Sequence, residues 1–196
     1  MGETLITGIG QGYTQTTPIQ LCLMTAQIAN GGYKIKPKIL TDDNQLTSEQ
    51  VKKAMQDSKT NYFYTPLYDD QKNIKIIQEA MFSSTNELYG TSYKSRIDDT
   101  KYQFAGKTGT AQVKRISMRE RELDLKIEQI PYKDRDHALY VAYGPYVNPR
   151  YALSIIVEHG GSGSRTAAPI AKELFKLIID RDDLRNKQKN FEEIKI

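Results

Sequence analysis

Two strand-like runs, 137–143 and 151–158, are separated by only the residues from Gly144-Pro145 to Asn148-Pro149-Arg150. That spacing constrains the fold more than any other feature. Parallel neighbours need a crossover of about a dozen residues or more, and glycine, proline and asparagine are the residues that turn a chain sharply. The two runs therefore read as an antiparallel hairpin. A third run, 102–114, lies upstream, with Tyr102, Phe104 and Val113 supplying strand-favouring side chains.

Within that third run lies Lys107-Thr108-Gly109-Thr110-Ala111-Gln112-Val113. Gly106 and Gly109 interrupt it, and a glycine inside a strand often marks close approach to the backbone. Residues 107, 109 and 111 point to one face of a regular strand and 108, 110 and 112 to the other. Lys107 supplies a compact positive charge, and Thr108 and Thr110 supply hydroxyls. An open edge of this make-up suits an extended anionic ligand that adds itself as a further strand. The plainer reading is a surface hairpin strand with solvated Lys and Thr; on the tripeptide alone, which is short and common, that reading is favoured, and the rest of the chain has to decide.

Helices flank these strands. Thr17-Pro18 opens one, because Thr caps and Pro at the first helical position forfeits no hydrogen bond. Ile19, Cys22, Leu23, Ala26 and Ala29 or Asn30 recur at helical spacing, and Gly31-Gly32 ends the run. Cys22, the only cysteine, falls on that stripe and reads as a buried, inert thiol. A second helix is expected over 70–86, with Ile74, Ile77 and Met81 on one face and Gly90-Thr91 closing the unit. A third is expected over about 166–180, with Ile170, Leu174, Phe175, Leu177 and Ile178 apolar. A short edge strand is expected over 33–40, where Pro37 excludes a central position, and a short helix at Glu49–Met55. The order helix, helix, strand, strand, strand, helix predicts an α+β domain with an antiparallel sheet flanked by helices.

Composition removes some classes. The 28 basic and 24 acidic residues give a net charge of only +4 and are interspersed, which reads as a solvated surface rather than a nucleic-acid footprint. His137 and His159 have no metal-ligand cluster around them in the sequence. No apolar stretch approaches a membrane span, and Met1-Gly2-Glu3-Thr4 shows neither a basic n-region nor an apolar h-region. Gly8-Ile9-Gly10-Gln11-Gly12-Tyr13 invites a dinucleotide-binding reading, but the third glycine of that fingerprint falls on Tyr13. It reads as a glycine-shaped loop.

Several anchors nevertheless occur in one order: Gly8-Ile9-Gly10-Gln11-Gly12, Thr17-Pro18-Ile19-Gln20, Ala29-Asn30-Gly31-Gly32, Gly106-Lys107-Thr108-Gly109-Thr110-Ala111-Gln112-Val113, Asp136-His137-Ala138 and Glu158-His159-Gly160-Gly161. On these residues the chain resembles the C-terminal part of the transpeptidase domain of class B penicillin-binding proteins, most of all the cell-elongation branch, penicillin-binding protein 2. The resemblance implies an incomplete penicillin-binding-protein/β-lactamase-like fold. Residues 1–180 would form the C-terminal portion of one transpeptidase domain, with 115–136 an exposed insertion and 181–196 a charged tail.

The resemblance also implies chemistry. The family cross-links peptidoglycan stem peptides through an acyl-serine intermediate that β-lactams trap, and it does so without a metal or other cofactor. Lys107 would place positive charge near the serine of the family's second motif, Ser-x-Asn. Thr108 and Thr110 would hold the carboxylate of the substrate or penicillin, the Thr110 N–H would form half of the oxyanion hole, and Gly109 would leave room for the ligand. Relatives of full length are membrane-anchored and work in the bacterial cell envelope, on the periplasmic side of the inner membrane. One departure is decisive for activity. No serine in the sequence is followed by lysine three residues later, so the family's Ser-x-x-Lys nucleophile motif is missing. Thr91-x-x-Lys94 is the nearest approach, and Ser84-Thr85-Asn86 fits the family's Ser-x-Asn only formally. The expectation is a chain that begins downstream of the nucleophile, is not catalytic alone, and needs the N-terminal part of the same domain as its partner. The alternative is a non-catalytic complementing or binding module that docks on such a partner.

Overall fold

The computed structural model describes residues 2–8, 10–37, 66–67, 70–114, 123 and 125–193. Its elements are α1 (Gly2–Gly8), α2 (Pro18–Ala29), α3 (Gln71–Asn86), β1 (Ala105–Ala111), β2 (His137–Gly144), β3 (Tyr151–Val157) and α4 (Ala168–Glu193), the last entered through a π-helical turn, Gly163–Ala167. The three strands form one antiparallel sheet in the order β1-β2-β3. Thr108 stands opposite Tyr140 and Val141 opposite Ser154.

Alternation along β2 separates two cores. Ala138, Tyr140 and Ala142 face Phe175, Ala171 and Ile179 of α4, together with Phe104 and Ile97. Tyr143 and the partly buried Val141 face the other way, towards Ile28 of α2 and Met81 of α3. Helices thus cover both faces of the sheet. Burying a side chain such as Phe175 contributes about 1.5–3 kcal/mol, and Phe104 and Phe175 stack with centroids 4.9 Å apart.

The start of α2 is as its sequence dictates. The Thr17 hydroxyl accepts from the Gln20 N–H, and the Gln20 side chain accepts from the Thr17 N–H at 2.8 Å, a reciprocal cap contributing about 1 kcal/mol. At its end Gly31 and Gly32 take φ of 92° and 88°. Cys22 is half-buried, donates to the Ala152 carbonyl at 3.4 Å, and its thiol is pushed up by burial. The buried stripe differs from the expected one: Thr25 and Ile28 are buried, whereas Ile19 is 64% exposed.

In α3 the buried line runs Ile74, Met81 and Thr85, and Ile77 is 41% exposed. The position between Ile74 and Met81 is filled by Gln78, whose amide donates to the Ile28 carbonyl at 2.6 Å and the Ala29 carbonyl at 3.3 Å. A polar residue sits there because the last carbonyls of α2 have no partner within their own helix.

Other boundaries move. The expected strand at 33–40 is reduced to one bridge, Tyr33 with Pro66; residues 38–40 and the helix expected at Glu49–Met55 lie outside the described residues. β1 is shorter than 102–114, because an Asp99–Tyr102 turn closes at 3.0 Å before it and the Asp136 carboxylate takes the Val113 N–H at 3.2 Å after it. Helix α1 was not expected. Of 115–136, residues 115–122 and 124 are outside the described set, and the remainder holds two short 3-10 turns, Ile127–Gln129 and Tyr132–Asp134. The last helix continues past residue 180 to Glu193. Its buried face is Ala168, Ala171, Phe175 and Ile179, while Ile170 and Leu177 are exposed, Leu177 by 66%.

Candidate functional site

The site is the free edge of β1. Among the described residues β1 pairs only with β2. Lys107 is exposed, and its ammonium donates to the Thr108 carbonyl at 2.9 Å. The Gln11 amide donates to the Thr110 carbonyl at 3.0 Å. Side chains can reach both carbonyls because both point away from β2. In an antiparallel strand the N–H and C=O of one residue point to the same side, so the Thr110 N–H shares this open edge.

A groove of about 1200 Å³ runs along the edge. One wall is Lys107 to Gln112. The other is the Gly10-Gln11-Gly12 loop with the start of α2 at Thr17 and Gln20, and His137 closes it. Thr108, Gly109 and Thr110 all line this groove with Lys107, so the sequence-expected residues stand together. Lys107 is not under packed side chains, the placement that would have removed it as an anion contact.

The edge is held in place from beneath. The buried Tyr140 hydroxyl meets the hydroxyls of Thr85 and Ser92 at 2.9 and 3.0 Å. Its ring passes so close to Gly106 that any side chain there would collide with it. Gly106 is therefore a packing requirement of β2, not a ligand position. Burial pushes the Tyr140 phenol upward, against the two hydroxyl contacts, so it stays a neutral hydroxyl. Gly163 lies against the backbones of Leu139 and Gly109, where a Cβ would again collide. The first residue of the π-helical turn is thereby pressed onto the β1–β2 ladder.

Three groove or edge residues carried no role in the sequence reading. In the sequence Gln11 reads only as part of a glycine loop. The Thr91 hydroxyl lies 3.4 Å from the Thr108 hydroxyl and 3.3 Å from that of Ser84. Nδ1 of His137 accepts the His159 N–H at 2.9 Å, which leaves its other ring nitrogen as the protonated one in the neutral ring. His159 is held for this with φ 54° and its own Nδ1 3.0 Å from the Arg135 carbonyl. Only the order Asp-His followed later by Glu-His-Gly-Gly hinted at that pairing. Among the described residues no group of three or more His, Cys, Asp or Glu could hold a metal ion, and no helix is long and apolar enough to cross a membrane.

Comparison with known proteins supplies the family. The family model described as the penicillin binding protein transpeptidase domain matches residues 2–176. The peptidoglycan D,D-transpeptidase MrdA of Salmonella typhimurium is 33% identical over 180 residues, covering 91% of this chain and 27% of that protein. MrdA of Haemophilus influenzae is 31% identical over 186 residues, covering 92% and 26%. Among solved structures, PBP2 of Pseudomonas aeruginosa in complex with WCK 5153 superposes with a TM-score of 0.62 at 37% identity, covering 87% of this chain and 31% of that one. PBP2 in the Helicobacter pylori complex with MreC gives 0.66 at 32%, covering 90% and 28%. The chain thus spans about a quarter of the length of the curated relatives it matches. With the match extending over nearly all of its residues and the solved relatives sharing its fold, this chain belongs to the penicillin-binding protein transpeptidase family.

Proposed function

We propose that this chain supplies the ligand-holding wall of a peptidoglycan D,D-transpeptidase of the PBP2 kind. A stem peptide or a β-lactam lies along the free edge of β1. The Lys107 ammonium and the Thr108 and Thr110 hydroxyls meet its carboxylate, and the Thr110 N–H receives the carbonyl oxygen as negative charge develops on it. The single observation carrying this reading is the open edge at Thr108–Thr110 with Lys107 exposed beside it. The attacking serine is not among these residues, since the sequence holds no Ser-x-x-Lys. Without a nucleophile only binding and charge stabilisation remain. The working protein would belong to the bacterial cell envelope.

A fluorescent penicillin tests this. The chain alone forms no covalent adduct, binds the label reversibly, and loses affinity in Lys107→Gln. A stable adduct on the purified chain overturns the proposal.

A second reading has its own observation. Between α2 and α3 runs an apolar groove of about 590 Å³, lined by Met24, Ile28, Ile77, Met81 and Val141, with Lys107 at its rim. Met24 and Ile77 are exposed there, and exposed apolar side chains of this kind mark a surface that another element covers. The chain then acts as a complementing module, docking this groove onto a polypeptide that carries the serine. Mixing it with a family segment containing Ser-x-x-Lys would restore penicillin labelling, and absence of association would remove this reading.

A further inference from the structure

Beyond Thr91 the surface opens into a separate cleft of about 650 Å³, between the Leu88–Ser95 loop and the start of α4. Three cations line it from three different segments: Lys94 from the Tyr93–Ser95 turn, Arg165 from the π-helical turn and Lys172 from α4. None of the three forms an ion pair or side-chain hydrogen bond with a described residue. The one acidic residue in the lining, Glu173, has Lys176 at 3.8 Å. Further along α4, by contrast, Asp180 and Asp183 pair with Lys101 and Asp182 pairs with Arg150. Like charges gathered without partners repel one another, and a bound anion would relieve that repulsion.

The cleft is linked to the free edge of β1. Thr91 lines it and reaches the Thr108 hydroxyl at 3.4 Å. Resting on the proposal that a peptide lies along β1, we infer that the Lys94–Arg165–Lys172 cleft is a second anion subsite, which takes an internal carboxylate of the same extended peptide. Its chemistry is a carboxylate received by a guanidinium fork and two ammonium groups. Arg165 can donate to both oxygens of such a group at once, and the Thr91 hydroxyl is at hand to donate as well. The cleft would therefore distinguish a stem peptide with a free internal carboxyl from one in which that carboxyl is an amide. The edge itself, reading backbone and terminal carboxylate, would not.

The experiment uses the chain as it stands and a pair of fluorescent five-residue peptides ending in two D-alanines. One has an internal free carboxyl and the other the primary amide at that position, and anisotropy reads reversible binding. The acid form is expected to bind about fivefold tighter at low salt, the range of one or two exposed ion pairs, and the difference should shrink in high salt. The Lys94→Gln/Arg165→Gln double variant should bind both peptides equally, with its amide affinity unchanged. Lys107→Gln should weaken both peptides to the same extent. If the wild type binds acid and amide equally while Lys107→Gln weakens both, the cleft assignment is wrong and the β1 reading stands. If neither peptide binds, or Lys107→Gln changes nothing, the β1 reading fails and the subsite falls with it.

Discussion

The Tyr140 hydroxyl meets the Thr85 hydroxyl at 2.9 Å under the strand residue Gly106, joining α3 to the sheet through a fully buried polar contact. Ser92 completes the triangle, and its own hydroxyl donates to the Ser84 carbonyl at 3.0 Å. Every hydroxyl in this knot has a partner inside the protein, which is the condition for burying it without loss. Tyr140→Phe removes the shared partner and leaves Thr85 and Ser92 with poorer contacts. Unfolding in urea should show a loss of about 1–3 kcal/mol. Gly106→Ala should be destabilising by a similar amount, through overpacking against the same ring. An unchanged denaturation midpoint for both variants would contradict this account.

The apolar face of α4 predicts a contrast between neighbours. Phe175 is fully buried between Phe104 and the β2 alanines, while Leu177 is 66% exposed. Phe175→Ala should cost about 3–5 kcal/mol, and Leu177→Ala should fall within about 0.5 kcal/mol of the parent. Both follow from thermal or chemical unfolding. Equal losses at the two positions would mean that the face pointing at the sheet is wrongly placed.

Acid should loosen the attachment of α4. The Tyr102 hydroxyl at 2.6 Å, and then the Lys101 ammonium at 2.9 Å, hold the Asp180 carboxyl below its ordinary range. A carboxylate whose folded value is depressed contributes stability above its unfolded value, about 3.9, and loses that contribution as pH falls through the folded value. Asp180 is exposed, so solvent screens the effect and it is small. Melting temperature should therefore drop more steeply below about pH 4 in the parent than in Asp180→Asn. Parallel curves would show that the contact adds nothing. At the other extreme, the Tyr102 hydroxyl and the Asp180 and Asp183 carboxylates raise the Lys101 ammonium. Its contribution persists throughout the neutral range and fades only in strong alkali.

How much of this was legible in the sequence follows from the range of the interactions. The hairpin, α2 and β1 depend on local spacing and on residues that turn or cap the chain, and Thr17, Pro18, Gly31 and Gly32 say where α2 begins and ends. The stripes were misread where a distant partner decides. Gln78 is turned inward by the unsatisfied end of α2, and Ile77 is turned out towards the groove. Periodicity cannot distinguish those two positions. On the edge, the proposed roles of Lys107 to Thr110 can be read from the strand alone, because the strand itself carries their chemistry. Gln11 was not, because it reaches Thr110 from 99 residues away. Thr91 and His137 join the site only through a loop and a backbone N–H that no spacing rule encodes.

Gln11 leads to the last prediction. Its amide occupies the Thr110 carbonyl, the acceptor that an added peptide strand would use on this edge. Ligand and side chain therefore compete, and the ligand must displace one hydrogen bond with a net value of about 0.5–1.5 kcal/mol. Gln11→Ala should tighten reversible binding of an extended peptide by about two- to tenfold, measured by anisotropy. The thermal stability of the chain should hardly change, since the contact is exposed. Weaker binding in Gln11→Ala would invert the assignment, making Gln11 a support that keeps the glycine loop against the groove rather than a competitor for its edge. Gln11→Glu separates the two roles further. A carboxylate cannot donate to the carbonyl and would repel an anionic ligand near Lys107. Affinity for the peptide should then fall below that of Gln11→Ala, by a margin that shrinks with added salt.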